Sequence, residues 1–336
     1  MPYKSPVQTI IFGSPGTGKS YKIDKEILPA LEIDRTSENC IKTVFHPEYT
    51  YGDFMGKLLP FSNKGKVEYN YYEGHFLKAL AQAYKNRLKN DTDPLNVVLV
   101  IDELNRGNSS AIFGTIFQLL DRDERGWSSY EITISELEHT KLLNLMDVEL
   151  KKESYNSNGK LTSAEYYFGK DQIPQETLFK LTKKIKIPPN LSIIATINTS
   201  DTSIYYMDSA FKRRWEWEFL DVQNSREDAK NRKFYYDNKT NWVDFVDKLN
   251  KFINNSYKFI RKIEDKQIGY WFIKGNTISK EQIRNKLMFF IWDSVFSNTK
   301  KPLVELLNME EKDLVTFGDF TNQTDTFVKK IIEYKG

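Results

Sequence analysis

TIIFGSPGTGKS, residues 9–20, decides the fold of this chain. An apolar strand runs into the pattern G-x-x-x-x-G-K-S and then into a helical pattern over residues 21–31. Glycines in such a P-loop let consecutive backbone N–H groups surround phosphate oxygens, while the following helix points its positive end at them. The motif therefore predicts nucleotide binding by Gly13, Ser14, Pro15, Gly16, Thr17, Gly18, Lys19 and Ser20.

Two side chains of this loop have predicted roles of their own. Lys19 is expected to reach the β and γ phosphates, and the hydroxyl of Ser20 to ligate Mg²⁺. The bare pattern also occurs by chance in an ordinary turn between a strand and a helix. The strand before it and an acidic strand later in the chain favour the P-loop interpretation.

The acidic strand is NVVLVIDE, residues 96–103. A continuous apolar run of this length predicts a buried parallel strand, which delivers Asp102 and Glu103 to the carboxyl edge of the sheet. Asp102 is expected to hold the Mg²⁺ shell, and Glu103 to orient and deprotonate an attacking water. The second carboxylate predicts nucleotide hydrolysis rather than binding alone. The alternative is a solvated Asp-Glu turn at the end of a strand.

Composition limits the number of domains, the class of partner and the cellular compartment that can be expected. The chain has 336 residues, enough for one large α/β domain and a smaller partner, and 49 basic against 46 acidic residues leave a net charge of +3. Because the charges are nearly balanced, composition does not indicate a polyanion as a binding partner. Cys40 is the single cysteine and no apolar run approaches the ~20 residues that span a bilayer, so a soluble cytoplasmic protein is expected. The three histidines lack the spacing of metal ligands.

Strand and helix patterns alternate along the first two thirds of the chain, as in α/β folds. They predict a strand at 40–45, the opening of a helix at 46–54, a projecting hairpin within 58–72, and helices at 76–88 and 109–120. Residues 135–180 are rich in Lys, Glu, Asn and Ser and form a predicted insertion between strands at 130–134 and 183–187. Its role is left open between a solvated surface loop and a contact for a partner or translocated substrate.

Polar residues follow the next predicted strand, LSIIAT at 191–196. Asn198 at its tip is expected to help hold the lytic water. DSAFKRRWEW, residues 208–217, then places Arg213 and Arg214 near the end of a helix. Paired arginines there usually complement the helix dipole. Their position after the P-loop, the acidic strand and the Asn-tipped strand favours a catalytic role instead.

Taken together, these motifs resemble the AAA+ motor of the McrB family, the GTP-driven subunit of modification-dependent restriction systems. A weaker match, DKQIGYWFI at 265–273, stands in the place of IGHSYF in the second domain of that family. The combination of IDELNRGN with NTSD discriminates far better than the P-loop alone. The matching segments are GSPGTGKS at 13–20, FHPEYTYGDF at 45–54, IDELNRGN at 101–108, PPNLSIIATINTSDTS at 188–203 and DSAFKRRWEW at 208–217.

The resemblance implies an α/β AAA+ P-loop NTPase with a parallel sheet flanked by helices and a small helical lid domain. It also implies a homo-oligomeric ring, expected to be a hexamer, in which an arginine from one subunit completes the site of the next. Arg213 and Arg214 match the arginine run of the family, and either could be that arginine. A nuclease subunit of the McrC type is the implied partner, with DNA reached through the complex. Residues 53–74 match a hairpin that faces the pore of the ring.

Two departures bear on function. Family motors often follow a DNA-reading domain, whereas eight residues precede the core of the first strand here, so either target recognition lies on a separate subunit or that domain has been removed. The family usually has NTAD where this chain has NTSD, which keeps Asn198, Thr199 and Asp201. The Asp201 carboxylate can accept both N1–H and N2–H of guanine, which adenine cannot offer. Asp201 could instead position water or an arginine, so ATP stays open as the substrate.

The predicted organisation is an AAA+ domain at 1–220, with insertions at 53–74 and 135–180, and a helical lid at 221–336. The leading hypothesis is a Mg²⁺-dependent nucleoside triphosphatase, hydrolysing GTP or ATP, that drives DNA translocation or activates a partner nuclease in a restriction and defence complex. One alternative is an ATP-driven remodeller of protein clients, as in the related MoxR branch. Another is a nucleotide-gated binding module without useful hydrolysis.

Overall fold

A computed structural model of the protein describes residues 6–157, 161–174, 183–198, 205–236 and 241–336. Part of the predicted insertion at 135–180 lies outside these ranges, as do Thr199 and Asp201, so the predicted role of Asp201 concerns a residue outside the described part of the chain. Among the described residues, no helix combines the length and apolarity needed to cross a bilayer.

A five-stranded sheet organises the nucleotide-binding motifs. In order across the sheet, its strands are β12 (Glu216–Phe219), β1 (Gln8–Gly13), β11 (Leu191–Asn198), β5 (Val97–Asp102) and β2 (Cys40–Val44). Strand β5 pairs in parallel with both β11 and β2. The predicted fold class, α/β of the P-loop AAA+ type with a helical C-terminal region, is confirmed. The strands described are β1 (Gln8–Gly13), β2 (Cys40–Val44), β3 (Gly56–Asn63), β4 (Lys66–Glu73), β5 (Val97–Asp102), β6 (Ile132–Thr133), β7 (Val148–Tyr155), β8 (Leu161–Phe168), β9 (Asp171–Gln172), β10 (Lys184–Ile185), β11 (Leu191–Asn198), β12 (Glu216–Phe219), β13 (Lys233–Phe234) and β14 (Thr277–Ile278).

The middle of this sheet is buried on both faces. Residues 97–101 of β5 are all at most 2% exposed, and the helix His75–Lys89 packs against β5 and β2. A strand with helices on both faces needs a continuous apolar run, which VVLVI supplies. The parallel register pairs Ala195 with Ile101, so the next residues, Thr196 and Asp102, reach the carboxyl edge of the sheet together.

Helical segments are mostly short and several change pitch without a break. The run from Lys19 to Ala30, for example, joins two α-helical pieces through a π-helical turn. The α-helices are Lys19–Lys22, Leu28–Ala30, Tyr51–Phe54, His75–Lys89, Ser109–Phe113, Glu136–Leu145, Ser209–Lys212, Arg226–Ala229, Trp242–Asn255, Ile263–Lys266, Lys280–Gln282, Met288–Phe290, Lys301–Leu307, Phe317–Asn322 and Thr324–Ile332. The π-helices are Ile23–Ile27, Ile283–Leu287 and Ile291–Val295, and the 3₁₀ turns are Leu104–Arg106, Gly114–Leu120, Val222–Ser225, Tyr257–Phe259 and Glu311–Asp313.

Two antiparallel hairpins lie outside the five-stranded sheet. Strands β3 and β4 pair over their whole length, from Gly56 opposite Glu73 to Asn63 opposite Lys66. Strands β7, β8 and β9 form a second small sheet after the helix Glu136–Leu145. The polar segment at 135–180 thus contains regular structure in its described part, where the sequence predicted only an insertion.

The helix predicted to open at 46–54 and the one predicted at 109–120 differ from the structure. The first begins only at Tyr51, because a capping box between Thr50 and Asp53 sets its N-terminus. The second stops being α-helical at Gly114, whose φ of +49° places it in the left-handed region. A Cβ at Gly114 would lie 3.0 Å from the Tyr51 ring.

Close packing divides the chain into two units that interleave in sequence. One comprises Met1–Ile10, Lys22–Ile197 and Ser203–Trp217, and the other Ile11–Tyr21, Asn198–Thr202 and Glu218–Gly336, within the described residues of each range. The second unit thus contains the P-loop with the helical C-terminal region. Its core is a cluster of aliphatic and aromatic side chains around Trp242, Phe245 and Tyr270. The domain boundary predicted at residue 220 stays a prediction.

Candidate nucleotide-binding site

The P-loop follows β1 and binds the side chain of its own lysine, Lys19. Gly13, Gly16 and Gly18 have φ values of +153°, +81° and +95°, a region that side chains with a Cβ rarely enter. Lys19 Nζ donates to the carbonyl oxygens of Gly13 at 2.8 Å and Ser14 at 3.1 Å. Two carbonyls of the loop therefore bind the ammonium group.

A segment of the C-terminal region packs directly on this loop. The Gly269 N–H donates to the Pro15 carbonyl at 2.9 Å, and the Trp271 N–H to the Gly16 carbonyl at 3.1 Å. A Cβ on Gly16 would lie 2.3 Å from the backbone nitrogen of Phe272. Residues of DKQIGYWFI, matched above to a second-domain motif, thus contact the P-loop through its backbone.

Buried polar side chains hold that segment in place. The Asn250 amide bonds the Ile268 backbone twice, donating to its carbonyl and accepting from its N–H, each at 2.9 Å. The Arg232 guanidinium is 4% exposed and donates to the carbonyls of Tyr270, Ile273 and Gly275. Burial lowers the pKa of Arg232 from its ordinary value.

In the first unit, the acidic pair ends β5 beside β11. Asp102 Oδ1 accepts a hydrogen bond from Thr196 Oγ1 at 2.9 Å, and the same Thr196 oxygen accepts from the Glu103 N–H at 3.3 Å. From the other side, the Phe45 N–H donates to the Asp102 carbonyl at 2.9 Å. Hydrogen bonds from both neighbouring strands therefore hold the Asp102–Glu103 turn.

The backbone at this turn is unusual for a glutamate. Glu103 has φ 57° and ψ 44°, the left-handed conformation, which costs a non-glycine residue about 1–2 kcal/mol. Strain of this kind persists only where the surroundings impose it, and it is common at active sites. The surroundings therefore impose this conformation on the turn at the end of β5, where Asp102 and Glu103 are both half-buried.

Arg213 and Arg214 follow the helix Ser209–Lys212, whose N-terminus is capped by Asp208. Arg214 is 8% exposed in its side chain: it pairs with Asp121 at 2.7 Å and lies over the Phe117 ring at 4.1 Å. Arg213 is exposed and forms no ion pair with the described residues. The two predicted arginines therefore have different surroundings.

Asn198 is the last residue of β11 and is half-buried, at the strand end where the sequence predicted it. Thr196 received no role from the sequence. The available signal was its spacing from Asn198, because residues two apart on a strand share a face. In the described part of the chain, no group of three or more His, Cys, Asp or Glu side chains is arranged to hold a metal ion.

The P-loop residues fit a nucleoside triphosphate with Mg²⁺. A Cβ built on Gly18 would meet no atom within 4 Å, which leaves room for a phosphate against the loop. Ser20 is exposed in the first turn of the following helix, and its hydroxyl is a donor type that Mg²⁺ accepts. Within the P-loop, Lys19 and Ser20 are the residues that would hold phosphate and metal.

Comparison with known proteins yields two relatives. The chain is 29% identical over 348 residues, 95% of this chain and 86% of the relative, to the type II restriction enzyme BsuMI component YdiS of Bacillus subtilis (strain 168). It is 24% identical over 253 residues, 75% of this chain and 43% of the relative, to the type IV methyl-directed restriction enzyme EcoKMcrB subunit of Escherichia coli (strain K12). No protein-family model matches the chain.

Proposed function

Because the chain is an McrB-like protein of restriction systems, we propose that it is a GTP-hydrolysing AAA+ motor that works within a restriction complex. The observation that carries this proposal is the strained acidic turn at the end of β5. A protein that only binds nucleotide has no use for a second carboxylate held in a left-handed conformation beside the first.

The proposed roles follow the chemistry of each side chain. Lys19 neutralises charge on the β and γ phosphates, and Ser20 and Asp102 hold Mg²⁺ with its water shell. Glu103 accepts a proton from the water that attacks the γ phosphorus, and Asn198 orients that water. When bound, Mg²⁺ would neutralise negative charge on the phosphates. The products are the nucleoside diphosphate and inorganic phosphate.

Arg213 is the proposed arginine that acts on a neighbouring subunit. A group that reaches across an interface must be available at the surface, and the exposure of Arg213 supports that role. The ion pair with Asp121 and the stacking on Phe117 support a structural role for Arg214 within its own chain. This assignment entails a ring of subunits, proposed to be a hexamer, and a lone subunit that hydrolyses slowly.

The remaining parts of the proposal concern substrate and partners. We propose GTP as the substrate, Asp201 as an acceptor for the guanine edge, and an McrC-like nuclease as the subunit that stimulates turnover. DNA is reached through that complex, with target recognition on another subunit or domain. The relatives support a multi-subunit restriction assembly, since both are named as parts of restriction enzymes.

Steady-state hydrolysis of GTP and ATP, with and without an McrC-like nuclease subunit, tests the proposal. The matched variant is Glu103→Gln, which keeps the size of the side chain and removes the base. We expect a loss of turnover of about 10² to 10⁴-fold with nucleotide binding retained, because the base acts only in the chemical step.

Two results would overturn the proposal. Unchanged turnover in Glu103→Gln would remove the hydrolytic assignment of the acidic turn. Preference for ATP with no stimulation by the McrC-like subunit would favour the remodeller hypothesis and direct the search to protein clients.

A further inference from the structure

Thr196 is the one buried hydroxyl described above that bonds to both acidic residues. It is 5% exposed on β11, donates its proton to Asp102 Oδ1 at 2.9 Å and accepts the Glu103 N–H at 3.3 Å. A threonine hydroxyl has one proton to donate and two lone pairs. The single proton is therefore committed to the carboxylate while a lone pair holds the backbone.

Each of these bonds constrains a different part of the site. The bond to Asp102 uses Oδ1 and leaves Oδ2 for the metal shell. The bond to Glu103 fixes the peptide that enters the left-handed conformation, on which the direction of the Glu103 side chain depends. Because both bonds use one oxygen atom, the orientations of the two acids are coupled.

We propose that Thr196 is a positioning residue that sets the metal-binding and proton-accepting carboxylates together. The inference rests on the proposed hydrolytic function, but the geometry of the turn can be measured without turnover. Because Thr196 acts through the two acids, its removal should lower kcat with little change in nucleotide affinity.

The test uses Thr196→Val, which keeps the branched shape and loses the hydroxyl, and Thr196→Ser, which keeps the hydroxyl. Loss of a hydrogen bond to a charged group predicts a fall in kcat of about 10 to 100-fold in Thr196→Val. Binding of a fluorescent, non-hydrolysed GTP analogue in Mg²⁺ should stay within about 3-fold of the wild type. Thr196→Ser should restore most of the lost turnover.

A matched control lies on β2, on the other side of β5 from Thr196. Thr43 on β2 is 7% exposed, and its hydroxyl bonds Tyr49 at 3.3 Å rather than either acid of the turn. Thr43→Val removes a buried hydroxyl of the same sheet and should leave kcat unchanged. Equal losses of kcat in Thr43→Val and Thr196→Val would indicate general damage to the sheet and would overturn the inference.

Hydrogen exchange at the Glu103 amide gives a readout that needs no catalysis. Thr196→Val should speed exchange of this amide, and Thr196→Ser should not, because the serine hydroxyl can still accept the N–H. If the wild type hydrolyses neither GTP nor ATP while this exchange pattern holds, the proposed function fails and the positioning role stands. Unchanged exchange and unchanged kcat in Thr196→Val would overturn the positioning role itself.

Discussion

At the residue scale, Arg213 and Arg214 show how adjacent residues of one type can have different surroundings. Arg214 faces Asp121 and Phe117 and contributes to the packing of its own chain, whereas Arg213 points to solvent. The sequence identified the pair and could not rank its members. Exposure, which depends on how the helix Ser209–Lys212 packs, makes the distinction.

We expect Arg213→Ala to lower kcat by about 10³-fold or more, because it removes charge stabilisation supplied across the interface. Its thermal midpoint should match that of the wild type. Arg214→Ala, the matched change next to it, should instead lower the free energy of unfolding by about 1–3 kcal/mol. Calorimetry and steady-state kinetics on both variants check the assignment, which fails if Arg213→Ala destabilises the fold and leaves turnover intact.

At the element scale, the base of the β3–β4 hairpin is defined by a cap. Thr50 and Asp53 form a capping box that begins the helix Tyr51–Phe54, and Asp53 also pairs with Lys57 at 2.6 Å in β3. Partial burial raises the pKa of Asp53, but hydrogen bonds from Lys57 and Thr50 outweigh it and bring the pKa to about 2. The sequence predicted a hairpin and a helix here, but not the cap that separates them.

Asp53→Asn should destabilise the protein in a pH-dependent way. The folded-state pKa of about 2 lies below the ordinary value of 3.8, so the stabilisation is complete above about pH 4 and is lost as the pH falls toward 2. Urea unfolding at pH 7 and pH 3 should show a larger difference from the wild type at pH 7. Glu48→Gln, an exposed change in the preceding turn, is the control. An equal difference at both pH values would rule out the ionised cap as the cause.

At the scale of the whole molecule, the proposed ring makes a prediction about mixed chains. Glu103→Gln supplies an intact Arg213, and Arg213→Ala supplies an intact Glu103, so some interfaces in a mixture combine both functional groups. Random mixing in equal amounts should recover about a quarter of wild-type turnover, because half the chains carry the base and half of their neighbours the arginine. Mixtures that stay as inactive as the separate variants would argue against a shared site.

Most of the fold class followed from local patterns. The P-loop and the acidic strand NVVLVIDE depend on neighbouring residues and on apolar runs, and these signals predicted an α/β AAA+ fold that the structure confirms. Sequence pattern was less successful at predicting helix ends that are set by contacts between residues far apart in the chain. The helix predicted at 109–120 changes pitch at Gly114, which packs against Tyr51.

The residues of the candidate site fall into the same two groups: those that local sequence identified and those that depend on distant contacts. Motif spacing alone nominated the P-loop, Asp102, Glu103, Asn198 and the arginine pair, because phosphate and metal chemistry require particular residue types in a fixed order. Only the tertiary structure linked Thr196 to Asp102 across 94 residues of chain, and only it buried Arg214 and exposed Arg213. A hydroxyl becomes a positioning group through what the parallel register brings beside it, and that register is set by packing over the whole sheet.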